Sequence, residues 1–278
     1  MKNILVPCDF SKPAINAFRF AMDAAVKSRA VVHLLNVIEL PAIHDPVLSP
    51  VIAFEKDFVK DLKEKTLKEF DKIITRYKPK SVTVKTEIAF GHPFRMIDDL
   101  IKKRKIDVIF MGSHGATGAR EYFFGSNAEK VVRRSPVPVL VLKDYYKRPI
   151  KDIVFPNTLE TEKQGKLIEK VKELQAFFKA RVHILYVNTP TNFTADDVTT
   201  ERLKQFAKQF MFRNHTLNIY NYPFHEEGII HFTKSIKANM IAMGTHGRKG
   251  LAHFLNGSLA EDVVNHADCP IWTFATPK

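Results

Sequence analysis

The 278-residue chain contains only two cysteines, Cys8 and Cys269, too few for a disulfide framework. One lies in each half, at unrelated places, and both read as reduced thiols of a cytoplasmic protein. No apolar stretch approaches the ~18 residues that a membrane-spanning helix needs. Met1, Lys2 and Asn3 lead straight into a strand pattern, without a long apolar segment or cleavage site, so no export signal is read. Low-complexity tracts are lacking too, which sets aside a disordered or fibrous class. Acid is scarce relative to base. Thirty Asp and Glu stand against 43 Lys and Arg, a net charge of +13, and about three quarters of the excess lies in the first half. Such a surface suits acidic partners: nucleotides, nucleic acid or anionic lipid. The densest cluster, Lys102, Lys103, Arg104 and Lys105, follows Asp98 and Asp99 on one predicted helix. Acids before cations is the order the helix dipole favours. No aromatics are interleaved there to stack on bases, so the cluster reads as a solvated helix end rather than a nucleic-acid site.

What is present is a repeat. Residues 106–111 form a short apolar run interrupted only by Asp107, the pattern of a parallel strand covered on both faces. Gly112, Gly115 and Gly118 cluster where it ends, and after a nine-residue spacer from Gly115 the pair Gly125-Ser126 opens a helix. Ser126 to Glu129 has the spacing of a capping box. Glycine amides and a helix N-terminus together form an anion site, usually for phosphate. The same spacing returns at Gly244, Gly247, Gly257 and Ser258, with Glu261 completing a second capping box. The starts of the halves agree as well: Ile4 to Pro7 matches Ile153 to Pro156, and Val32 to Leu35 matches Val182 to Leu185. The chain is a tandem duplication, the first feature that fixes architecture.

In chain order, strands are expected over 2–7, 30–38, 82–88, 106–111 and 137–142. Helices are expected from Ser11, with Pro13 in the first turn, over 51–77 and 94–103, and from Ser126. The alternation predicts an α/β fold with a doubly wound parallel sheet in each half. The first unit spans 1–145 and the second 150–278, joined by a short polar linker. The second is 17 residues shorter between Pro156 and Gly244 than the first between Pro7 and Gly112, and the deletion falls in its second loop and helix. The apolar strands that close the halves, Val137 to Leu142 and Pro270 to Phe274, are edges that need covering.

The glycine spacing, set after an apolar strand and before a helix, resembles the ATP-binding signature of the universal stress protein family. The opening Pro7-Cys8-Asp9, the segment from Glu87 to Gly91-His92-Pro93 and the closing Ser135-Pro136-Val137-Pro138 extend the resemblance over nearly the whole chain. It implies two flavodoxin-like (Rossmann-like) units of strand order 3-2-1-4-5, and final strands that pair to form an internal pseudo-dimer, with a further homodimer open. It also implies a stress-response role with ATP as ligand, ADP or AMP as alternatives, and Mg accompanying the nucleotide.

Carried over residue by residue, the resemblance brings Pro7, Cys8, Asp9, Val37, Met111, Gly112, His114, Gly115, Gly125, Ser126 and Asn127 to the nucleotide in the first half. In the second half the matching set is Pro156, Asn157, Thr158, Val187, Met243, Gly244, His246, Gly247, Gly257, Ser258 and Leu259. Physically, Val37 and Met111 can sandwich a base, Asp9 can accept from adenine or ribose donors, and the glycine amides with Ser126 suit phosphate oxygens. Thr158 replaces Asp9, so the second half keeps the phosphate cradle and loses the carboxylate anchor. His114 and His246 invite a catalytic reading, but neither has a nucleophile or acid at a matching place in both halves. The lysine of a Gly-x-x-x-x-Gly-Lys-Ser/Thr loop and an evident set of metal carboxylates are both lacking. The expectation is therefore a nucleotide-binding protein and not an enzyme, with no catalytic residues and no metal site of its own. A slow ATPase or phosphotransferase using the same pocket, and a partner-binding module without nucleotide, are the alternatives.

Overall fold

The computed structural model describes residues 1–39, 56–113, 125–162, 164–245, 263 and 266–275. In the first half, strands β1 (Asn3–Pro7), β2 (Val31–Ile38), β3 (Thr83–Phe90), β4 (Val108–Gly112) and β5 (Val139–Leu142) alternate with helices. These are α1 (Lys12–Ser28), α2 (Lys56–Tyr77), α3 (Pro93–Arg104) and α4 (Ser126–Arg134). The second half repeats the plan with β6 (Asp152–Pro156), α5 (Gly165–Phe178), β7 (Arg181–Asn188), α6 (Asp196–Gln209), β8 (His215–Asn221), α7 (His225–Ser235), β9 (Met240–Gly244) and β10 (Ile271–Phe274). The shortening falls where the sequence puts it: α6 has 14 residues where α2 has 22. Residues 51–55, expected to start α2, lie outside the described residues.

The ten strands of the described residues form one sheet in the order β3-β2-β1-β4-β5-β10-β9-β6-β7-β8. Each half is parallel with strand order 3-2-1-4-5, and the halves meet through an antiparallel pair, with Ile271 opposite Val141, Trp272 opposite Leu140 and Thr273 opposite Val139. The pairing expected of the final strands is present. Because that pair is antiparallel, the strand ends of the two halves point to opposite edges of the sheet.

Two apolar layers sandwich the sheet. On one face α1, α2, α5 and α6 contribute Phe18, Phe70, Val171 and Phe206, and Trp272 from β10 joins the same layer. On the other, α3, α4 and α7 contribute Ile101, Val131 and Ile229. Helix α1 forms where expected: the Ser11 hydroxyl accepts the Ala14 N–H at 3.3 Å, and a proline occupies the first turn. In the basic cluster, Lys102 pairs with Asp98 at 2.7 Å and Arg104 with Glu87 at 2.7 Å.

The capping box expected at Ser126 does not form. Gly125 is the N-cap, with extended backbone, and Ser126 is the first helical residue with no side-chain capping bond. Glu129 therefore falls one position too late, and its N–H donates to the Gly125 carbonyl. The approach of the chain decides this: the Gly125 N–H is already held by the carbonyl of Ser113 at 3.0 Å.

Candidate functional site

In an open sheet wound in both directions, a crevice forms beyond the C-terminal ends of the two strands whose connections leave to opposite faces. Here these are β1, followed by α1 on one face, and β4, followed by α4 on the other. Pro7, Cys8 and Asp9 leave β1 at that edge, and Gly112 and Ser113 leave β4. The Cys8 N–H donates to the Leu35 carbonyl at 2.8 Å, and the Asn36 amide donates to the Cys8 carbonyl at 2.8 Å. The thiol itself faces the α1 layer, 3% exposed, and burial pushes it up to about 12. Cys8 is thus a neutral core group, and Cys269 is held up to about 12 by the same cause.

Asp9 lies exposed beside this anchored turn. Its carboxylate accepts the Ser11 N–H at 3.0 Å, which fixes it over the start of α1. Phe10 follows with φ of 66°, a left-handed conformation unusual for a bulky residue. That turn sends the Phe10 ring inward against Phe70, centroids 5.4 Å apart, while Asp9 stays outward. Across the crevice, Val37 is half-buried on the layer that also holds Met111, and Ala89 pairs beside Val37 in register. At the far side stands the N-terminus of α4, with Ser126 exposed and Asn127 half-buried. Helix geometry leaves its first amides without intrahelical acceptors. Asp9, the Val37–Met111 surface and the α4 N-terminus therefore border one edge. His114 and Gly115 lie outside the described residues.

Gly112 has a packing role in the fold. It is buried in β4, and a Cβ there would stand 2.7 Å from the backbone carbon of Pro13 and 2.8 Å from the Ala14 nitrogen. Only a glycine lets α1 cross β4 this closely. Ser113, which the glycine spacing does not single out, is fully buried. Its N–H donates to Leu142 at 2.9 Å and its carbonyl receives Gly125, so it joins the two ends of the 114–124 segment. The signal was a small hydroxyl residue after the glycine in both halves, Ser113 and Thr245.

The second half has the same frame and a different interior. The Asn157 N–H donates to Leu185 as Cys8 does to Leu35, and Leu159 repeats the left-handed turn with φ of 65°. Helix α5, however, has 14 residues where α1 has 17, and its N-cap is Gln164. The intervening turn is filled by side chains. Asn157 accepts the Leu159 N–H at 2.7 Å and donates to Gln164 at 2.6 Å, and Arg202 reaches the Thr158 carbonyl at 3.2 Å. The Thr158 hydroxyl is buried with no hydrogen-bond partner among the described residues. The counterpart of Asp9 is thus turned away from the edge. Val187 is only 4% exposed, because Gly228 of α7 packs on it: a Cβ on that glycine would meet Val187 Cγ1 at 2.7 Å and Tyr222 Cβ at 3.0 Å. Pro156 is half-buried and Met243 buried. Gly244 has its Cβ position against Leu167 Cδ2 at 2.8 Å, a movable side chain rather than backbone. His246, Gly247, Gly257, Ser258 and Leu259 lie outside the described residues.

The frame is shared with known proteins. A structure from Archaeoglobus fulgidus described as a universal stress protein superposes with a TM-score of 0.71 at 20% identity, covering 99% of this chain and 98% of that one, a likeness of fold. A universal stress protein of Methanocaldococcus jannaschii is 28% identical over 142 residues, 51% of this chain and 82% of that protein. A Staphylococcus haemolyticus protein named in the same family is 31% identical over 144 residues, 51% of this chain and 84% of its own length. The profile of the universal stress protein family matches residues 1–143 and 224–274. With the duplicated 3-2-1-4-5 sheet, these matches establish that the chain belongs to the universal stress protein family.

Proposed function

We propose that the chain binds an adenine nucleotide, ATP first among them, at the crevice of the first half, and that the nucleotide serves as a structural ligand or switch in a stress response rather than as a substrate. One observation carries the reading: Asp9, the Val37–Met111 surface and the N-terminus of α4 lie along one sheet edge at the switch between β1 and β4. The residues fit the ligand. A carboxylate accepts from ribose or adenine donors, an apolar strip takes the flat base, and helix amides with the Ser126 hydroxyl take phosphate oxygens. Gly125 suits the cradle because its missing side chain leaves the amides open to approach. The side chains of Asp9, Val37, Met111 and Ser126 carry the contacts in this reading. Cys8 and Gly112 hold the walls in place.

The second half is proposed as the weaker site, since Thr158 is turned inward and Val187 is covered. A ligand that binds only the folded state stabilises it by mass action, which supplies the switch without any chemical step. A cytoplasmic setting accords with this role.

Mass spectrometry of small molecules released from freshly purified protein tests the reading, with calorimetric titration of ATP, ADP and AMP into stripped protein. Recovery of a nucleotide near stoichiometry, with binding weakened by Asp9→Ala, is the expected result. No recovered nucleotide together with no heat from any of the three removes the reading. Phosphate release that persists through rigorous purification and disappears with Gly125→Val would replace the structural role with hydrolysis.

A further inference from the structure

Residues 143–149 leave β5 and cross to the second half, where they meet α7 and the approach to β10. Two contiguous cavities of about 490 and 200 Å³ open at this crossing. The smaller one has an apolar floor of Ile230, Ile241 and Ala267. Five cations border the pair, Lys143, Lys147 and Arg148 from the linker and Lys234 and Lys237 from α7 and the residues after it, against two acids, Asp144 and Asp268. Both acids are engaged: Asp268 pairs with Lys234 at 3.1 Å and Asp144 with Lys12 at 3.9 Å. Among the described residues, Lys147, Arg148 and Lys237 have no acidic partner within 4.0 Å.

Lysines at the end of a helix are ordinarily explained by its dipole, and Lys234 and Lys237 fit that account. Lys143, Lys147 and Arg148 do not, because the linker that carries them is not helical. Lys143 is partly withdrawn from water. Burial holds its ammonium below the ordinary lysine range, and the charge of Lys234 adds to the effect against the pull of Asp268. Like charges gathered around a hollow repel each other, and the repulsion weakens when an anion enters. A doubly charged group suits three cations without acids. The guanidinium of Arg148 matches two phosphate oxygens at once, and the floor accepts an apolar body about the size of one ring.

We propose that the linker cleft binds a phosphate monoester with a small apolar body, held by Arg148, Lys147 and Lys237 over the floor of Ile230, Ile241 and Ala267. The site stands apart from the Asp9 crevice, and its occupant would tie the crossing segment to α7.

Phenyl phosphate is the probe, titrated calorimetrically into the full chain beside inorganic phosphate and phenol. Saturable binding of phenyl phosphate, tighter than inorganic phosphate by at least about tenfold, is expected from the floor. The exposed pair Arg148→Glu and Lys237→Glu, made together, should weaken it by about tenfold or more. Ile230→Trp, which fills the floor, should remove the preference for phenyl phosphate while inorganic phosphate still binds. Gly125→Val, in the other crevice, should change nothing. The proposal is overturned if phenyl phosphate fails to bind, or binds no better than inorganic phosphate. It is equally overturned if Gly125→Val abolishes binding and the charge reversal leaves it intact. Thermal melting of each variant, matched to the parent, separates lost binding from lost fold.

Discussion

At the scale of single residues, the two glycines that end the fourth strand of each half look alike and differ in what they touch. A methyl group on Gly112 would press on the backbone of Pro13 and Ala14, which cannot move without displacing α1. The same group on Gly244 would press on one methyl of Leu167, which can rotate away. Overpacking against fixed atoms costs about 1–3 kcal/mol, and less where a side chain yields. Gly112→Ala should therefore lose about 2–3 kcal/mol in urea unfolding, and Gly244→Ala less than about 1 kcal/mol. Equal losses would mean that the closeness of α1 to β4 is not what the first glycine serves. His33 gives a second test at this scale. Its ring is buried in β2, Nε2 faces Asn3 Oδ1 at 3.4 Å, and Nδ1 lies 3.9 Å from Glu87. Burial lowers its pKa below 6.5, opposed by Glu87 and reinforced by Arg104 and Lys85. In the unfolded chain the ring titrates near about 6.5, so as pH falls the unfolded state takes up the proton first. The stability carried by neutral His33 is whole above that pH and is lost as pH falls below it, toward the lowered folded value. Urea midpoints between about pH 7.5 and 5.5 should drop less steeply in His33→Gln than in the parent. Parallel slopes would remove His33 from the acid response.

At the scale of elements, the difference between the halves lies in how the first helix begins. Helix α1 starts at Lys12 behind a Ser11 cap, which leaves Asp9 outside, whereas α5 starts at Gly165 and the Thr158 hydroxyl is buried. On the other side, Gly228 brings α7 down on Val187. In the proposed nucleotide reading, both changes act on the base and ribose side of the second crevice. Losing a hydrogen bond to a charged acceptor costs roughly 1.5–3 kcal/mol, or about ten- to a hundredfold in affinity. Calorimetric titration of ATP into Gly125→Val should show tight binding removed, and into Gly257→Val tight binding kept. The reverse pattern would assign the stronger site to the second half. The element order was legible because the central strands are short, mainly apolar runs and each helix has its own cap or face, and because the duplication states the plan twice. The replacement of Asp9 by Thr158 was legible as well. The burial of the Thr158 hydroxyl was not, since it lies in a turn where Asn157 and Gln164 meet across seven residues. The role of Gly228 was not legible either: a glycine inside an apolar helix face shows its purpose only when Val187 is seen beneath it. The string Gly125-Ser126-Asn127-Ala128-Glu129 permits either residue of its first pair as the N-cap. The choice was settled by Ser113, a contact that begins outside the string.

At the scale of the whole molecule, the halves are joined through a sheet that neither could complete alone. The junction pairs three residues of β5 with three of β10 and buries Trp272, 1% exposed, beside Phe274. Two hydroxyls cross it: Thr273 donates to the Val139 carbonyl at 3.3 Å, and Thr245 to the Val132 carbonyl at 3.2 Å. The linker adds one tyrosine to each side. Tyr145 donates to Asp23 at 2.7 Å and lies under Arg19, whereas Tyr146 accepts from Asn239 at 3.2 Å. Truncating a fully buried aromatic costs about 3–5 kcal/mol, so Trp272→Ala should destabilise the chain by that amount in urea. Cutting the chain asks more of the junction. Residues 1–145 alone would expose the Val139–Leu142 edge, and 150–278 alone would expose the Ile271–Phe274 edge, each with unpaired backbone groups in an apolar strand. The same antiparallel pairing is open to two copies of one half, because β5 can meet a second β5 as it meets β10. Each half expressed separately should then dimerise or aggregate in light scattering coupled to gel filtration, and mixing should convert soluble material to a one-to-one complex. Charge placed on the edge by Leu140→Lys should suppress self-association of the first half and abolish the complex. Two monomeric halves without mutual affinity would show that the ten-stranded sheet is held by the tether of the linker rather than by the pairing of its edges.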